Sequence, residues 1–173
     1  MAKYSTNWQS LTMSANADTT AFTTLTYCAI GNNASIAPAS AMIKVSEVYI
    51  GGESGASAPA AIVVARHSTI AVTPTLNTSG VRQALTDATA SAPVSTNVPN
   101  SFATASTQPQ RSSALHLLHL SFNAYGGIVR WVASPDQAIT IATVTQPLAE
   151  LSVSAITAAT APVTSGHFLY EVV

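Results

Sequence analysis

An all-β, antiparallel β-sandwich is the fold class this sequence predicts, on three observations. Clusters of Gly, Pro, Asn and Ser punctuate the chain at about the 8–12-residue spacing of a sandwich or barrel. Near the C-terminus apolar and polar residues alternate with period two. Leu151, Val153 and Ala155 oppose Glu150, Ser152 and Ser154; Phe168, Tyr170 and Val172 oppose His167 and Glu171, with Leu169 and Val173 on that second face. Helical stripes at i, i+3, i+4 are missing despite an Ala-rich composition, while Thr, Val and Ile are abundant. About eight strands joined by short turns and one long connection are jelly-roll-like, two Greek keys folded into a double sheet.

Taken in order, residues 1–19 are polar with single aromatics and no clear period, and read as an N-terminal arm, loose unless something ties it down. Residues 20–173 then form a single domain. Its candidate strands are Thr20–Ile30, Ala41–Gly51, Ala60–Ser68, Ala114–Phe122, Gly127–Ala133, Gln137–Val144, Glu150–Thr157 and Gly166–Val173. Between Thr69 and Ser113 Pro74, Pro93, Pro99 and Pro109 are spread through Ser, Thr, Ala and Asn. A connection that long inside one domain is unusual and tends to be functional or disordered. It is expected to supply the crossover over one end of the sandwich. At most one short helix is expected, around Val81–Thr89.

A chain of 173 residues is long enough to bury a core without staples. Charged residues are only 8% of it, against about 25% in an average soluble domain. Its polar surface is therefore built mainly from hydroxyls and amides. The Lys and Arg residues are scattered, where phosphate binding needs them clustered, so no nucleic-acid partner is expected. A net charge of −1 removes the self-repulsion that keeps free proteins apart, which suits an assembly. No apolar run reaches about 18 residues, and nothing at the N-terminus resembles a signal peptide. Neither a membrane nor secretion is expected, and the Asn33 and Asn77 glycosylation triplets read as chance. The single Cys28 reads as a small buried hydrophobe.

Candidate chemistry is thin. His116 and His119 stand three apart in a predicted strand, which sends them to opposite faces and argues against a shared metal ion. His67 and His167 have no ligand-spaced companions. Glycoside hydrolysis needs two carboxylates on one pocket, and no two of Asp18, Glu47, Glu53, Asp87, Asp136, Glu150 and Glu171 announce such a pair. Gly51-Gly52-Glu53-Ser54-Gly55 lacks the Lys-Ser/Thr of a phosphate loop and reads as a turn. No G-x-S-x-G elbow occurs. No enzyme activity, catalytic residue, metal or cofactor is expected.

The densest signal is Phe122-Asn123-Ala124-Tyr125-Gly126-Gly127-Ile128-Val129-Arg130-Trp131-Val132-Ala133-Ser134-Pro135. It reads as strand, turn, strand, with Gly126-Gly127 supplying positive φ. Arg130 and Trp131 alternate, one facing the core. Arg130 is expected to cap carbonyls at a sheet edge or stack on an aromatic ring.

This stretch, F-N-A-Y-G-G-x-x-R-W-V-A-x-P with Tyr125, Gly126, Gly127, Arg130, Trp131 and Pro135, resembles a motif recurring in small virion-associated proteins of tailed bacteriophages. Val48-Tyr49-Ile50-Gly51-Gly52-Glu53 and the tail Phe168-Leu169-Tyr170-Glu171-Val172-Val173 are similar too. In pieces, the likeness covers about a third of the chain. It implies a β-sandwich protein that decorates or cements the exterior of a capsid, made in the host cytoplasm and bound to the major capsid protein. The expected assembly is a homotrimer seated where shell subunits meet, with Tyr4, Trp8 and Phe102 as candidate interface anchors because aromatics dominate hot spots. A carbohydrate- or receptor-binding module of the phage tail is the alternative. It needs Trp8 or Trp131 exposed beside amides.

Overall fold

The computed structural model describes residues 3–15, 28–32, 42–66, 83–84, 96–97, 116–142 and 150–173. These form eleven strands: β1 (Lys3–Thr12), β2 (Cys28–Asn32), β3 (Met42–Gly52), β4 (Pro59–Arg66), β5 (Gln83–Ala84), β6 (Thr96–Asn97), β7 (His116–Asn123), β8 (Ile128–Val132), β9 (Ile139–Ala142), β10 (Glu150–Ala158) and β11 (Val163–Val172). One sheet runs β5-β1-β11-β3-β8, with β9 on the same side of β3 as β8; the other runs β6-β2-β10-β4-β7. Every pairing is antiparallel. Setting aside the two-residue strands β5 and β6, the first four strands alternate between the sheets, and the last two lie centrally, one in each. This is the jelly-roll order, and the β-sandwich that the alternation predicts.

Residues 3–12 of the segment expected as an arm are instead the strand β1, while residues 1, 2 and 16–19 lie outside the described residues. Tyr4, Thr6 and Trp8 point inward while Lys3, Ser5 and Asn7 point out. Pairing with β11 from Lys3↔Glu171 to Thr12↔Val163 ties the segment down. The helix expected at Val81–Thr89 is contradicted at Gln83–Ala84, which pair with Tyr4 and Ser5. The rest of that stretch, and most of 69–113, lies outside the described residues.

The core fills the space between the sheets. Trp8, Ile43, Val48, Ile50, Phe168 and Tyr170 come from one side and Cys28, Ile30, Ile62, Val64, Leu151 and Val153 from the other. Trp8 packs on Phe168 with ring centroids 5.4 Å apart, and Tyr4 stacks on Tyr170 at 5.7 Å. Gly166 makes room for Trp8: a Cβ there would stand 2.3 Å from the indole and 2.2 Å from the Tyr49 carbonyl oxygen.

The outer faces of the two sheets differ. On the β2-β10-β4 sheet, Ala29, Val63, Ala65, Ser152 and Ser154 are all 0% exposed although they point away from the core. Ser152 and Ser154, the polar members of the alternation, are therefore inside the protein. A strand buried on both faces reads as a near-continuous apolar run, and Ala60–Ala65 is one. The other sheet's outer face carries charge and stays partly open, and it holds the polar groups considered next.

Candidate functional site

The outer face of the β1-β11-β3-β8 sheet is organised as rows running across the strands. The register sets Asn7 opposite His167, His167 opposite Tyr49, and Tyr49 opposite Arg130. On one side the neighbouring row holds Ser5, Leu169, Glu47 and Val132; on the other it holds Ser165, Gly51 and Ile128. Period two within each strand, together with this register, places these residues on one face.

Glu47 owes its position to a bulge. Leu169 pairs with Glu47 and Tyr170 with Val45, so Ser46 is the extra residue, and the inward set changes from Ile43 and Val45 to Val48 and Ile50. The carboxylate, 8% exposed, accepts hydrogen bonds from Arg130 Nη2 at 2.8 Å and His167 Nε2 at 3.0 Å. Arg130's hydrogen bond, more than His167's, holds the Glu47 carboxyl below the usual carboxylate range against the opposing pull of burial. Tyr49 stacks on His167, with centroids 5.1 Å apart and planes within 5°. Arg130 therefore pairs with a carboxylate, where a carbonyl cap or an aromatic stack was expected.

A second cluster sits past the end of β3. Ser10 and Ser165 both donate hydroxyl hydrogen bonds to Glu53, and Ser165 Oγ accepts from the Ser10 amide at 2.9 Å. The two hydroxyls lower the Glu53 pKa, Ser165 the more strongly. Ser10 is bulged and has a positive φ of 47°. Glu47 and Glu53 are six residues apart along one extended strand, about 20 Å at the rise of a β-strand, beyond the roughly 5–9.5 Å of a glycosidase pair. Between the clusters a shallow groove runs beside Tyr49, lined by Asn7, Gln9, Ser165, Gly166 and His167.

The expected anchors lie elsewhere. Trp8 is 1% exposed, and its indole N–H donates to Thr164 Oγ1 at 3.2 Å; Tyr4 is 8% exposed. Both belong to this chain's own core, so neither is a surface anchor, and Phe102 falls outside the described residues. In the 122–135 motif, inward and outward residues separate. Asn123 Oδ1 accepts from the amides of Ala58 and Tyr125, and Ala124 is fully buried. Gly126 has a φ of 75°, whereas Gly127 is required by closeness, since a Cβ would stand 2.2 Å from the Asn123 carbonyl oxygen. Trp131 packs against the core. Pro135 is exposed in the turn before Asp136, whose φ is 64°. The outward residues Tyr125, Ile128 and Val132 are 62%, 64% and 53% exposed. They are the three most exposed large apolar side chains among the described residues.

His116 and His119 do not diverge as expected. A bulge between Val64 and Ala65 of β4 and their β7 partners makes Leu117 the extra residue, and the rings meet edge to face with centroids 5.1 Å apart. Among the described residues, no group of three or more His, Cys, Asp or Glu is placed to hold a metal ion. Cys28 is buried, and burial pushes its thiol pKa well up. Arg66 reaches across from β4 to the Thr140 carbonyl, joining the two sheets.

No family model, curated protein or solved structure matches this chain.

Proposed function

We propose that this chain is a structural virion protein of a tailed bacteriophage that decorates or cements the capsid by binding across neighbouring major capsid subunits. One observation carries the reading. The 122–135 segment, which bears the resemblance to phage virion proteins, uses Asn123, Ala124, Gly127 and Trp131 to build the fold, yet leaves Tyr125, Ile128 and Val132 in water. Exposed apolar side chains grouped on one edge favour a protein contact. Low charge and a hydroxyl-rich surface add a second reason, since they suit dense packing beside like subunits. Repetition over a lattice turns modest contacts into avidity. The test is add-back: purified protein is mixed with shells lacking it, and bound copies are counted after sedimentation. Saturation at a fixed ratio to shell subunits supports the proposal, and failure to co-sediment overturns it.

A second reading, a glycan-binding module, draws on the Tyr49–His167 stack beside Asn7 and Gln9. Of the two tryptophans that would favour it if exposed, Trp8 is in the core and Trp131 is half-buried against it. Binding on a glycan array by the wild type, lost in Tyr49→Ala, would favour this reading over the first.

A further inference from the structure

We propose that the free edge of β8 pairs with the β8 of a second copy of this chain, extending the outer sheet across a two-fold axis. The inference rests on reading the exposed apolar residues of the 122–135 segment as a contact surface, and it adds the partner and the bonding pattern.

Backbone direction comes first. Gly52 N–H donates to the Gly127 carbonyl, and Ala133 N–H donates to the Ser46 carbonyl. In an antiparallel pair such bonds recur at every second residue, so Gly127, Val129, Trp131 and Ala133 face β3. The amides and carbonyls of Ile128, Arg130 and Val132 therefore point to the other edge, where no strand lies among the described residues. The same three residues carry the exposed side chains of β8.

An open edge of this kind is a template for another strand, and proteins guard such edges with short strands, prolines, bulges or uncompensated charge. The far ends of both sheets are guarded by shortness, since β5 and β6 are two residues each. Between Ile128 and Val132 there is no proline and no register shift. The one charge, Arg130, is engaged by Glu47 at 2.8 Å.

Self-complementarity selects the second copy over other occupants. With the axis at Arg130, Ile128 of each copy lies opposite Val132 of the other, an apolar pair on both sides of the centre. The two arginines meet at the axis as members of two compensated ion pairs rather than as bare cations. A net charge of −1 adds no long-range repulsion. The three residue pairs exchange about six backbone hydrogen bonds, two per bonded pair.

The experiment uses the purified full chain, followed by light scattering and by residue-resolved amide exchange, from about 10 μM to about 1 mM, a range that covers weak association. The proposal expects a dimer at the upper end, with exchange at Ile128, Arg130 and Val132 slowed at least about tenfold on dimerisation, while Val129 and Trp131 are protected throughout. Val132→Lys places like charge on the edge, and Ile128→Pro removes an N–H the monomer does not use; both are expected to stay monomeric with an unchanged circular dichroism spectrum. A monomer at 1 mM with the three amides open overturns the proposal. So does a trimer, any oligomer in which those amides stay open, or a dimer that survives Val132→Lys. The shell-binding reading is tested separately by add-back, so either result stands without the other.

Discussion

Replacing Trp8 by alanine tests whether residues 3–12 belong to the fold. Trp8 is 1% exposed, so folding removes nearly all of an indole's roughly 200 Å² from water. At about 25 cal/mol per Å² this is worth about 5 kcal/mol, an upper bound. Compactness of the unfolded chain trims it by about 10–40%, to about 3–4.5 kcal/mol. The range agrees with the 3–5 kcal/mol typical of buried Phe or Trp to Ala changes. Loss of the donor to Thr164 Oγ1 acts in the same direction. Since domains are stable by only about 5–15 kcal/mol, a large part of the total goes. Urea unfolding followed by far-ultraviolet circular dichroism measures the difference. A loss below about 1 kcal/mol would contradict a core position for Trp8, because that is the cost at an exposed site on an arm.

Other changes probe the remaining parts. Gly52→Ala forces a Cβ to within 2.3 Å of the Ala124 carbonyl oxygen and is expected to cost about 1–3 kcal/mol or more in thermal unfolding. Gly55→Ala, with nothing within 4 Å, leaves stability unchanged and serves as the control. Asn123→Ala removes the acceptor shared by the Ala58 and Tyr125 amides and the donor to Ser57, at a cost of about 1–2 kcal/mol on denaturant unfolding. Glu47 has its pKa lowered in the folded state, so its contribution is present above the unfolded value and is lost as pH falls through the folded one. Between about pH 5 and pH 3 the wild type should therefore lose more stability than Glu47→Gln, by unfolding at each pH; parallel curves would contradict this.

Much of the sandwich was legible because its strands are local patterns bounded by turn residues. Each expected strand overlaps an observed one, and β11 keeps the alternation of Phe168 and Tyr170 against His167 and Leu169. The miss at β1 has a specific cause. Its inward set is Tyr4, Thr6 and Trp8, with a hydroxyl in the middle, and its partner β11 is more than 150 residues away. The spacing of Tyr4 and Trp8 across Thr6 was the available signal. The burial of Ser152 and Ser154 was not legible, because a small hydroxyl fits a solvated and a covered sheet face alike. Glu47 and His167 were not legible as a pair. Their meeting depends on the Ser46 bulge and on long-range register, and neither leaves a mark in local sequence. The His116–His119 contact was missed for the same reason, since one bulged residue reverses an odd-spacing argument.

The copy number of this chain in purified particles, measured against the major shell protein by quantitative mass spectrometry, is the sharpest test of the proposed virion role. Many copies in fixed ratio to the shell are expected. A mere handful would move the chain to the tail or a vertex, and complete absence from particles would contradict the virion role itself.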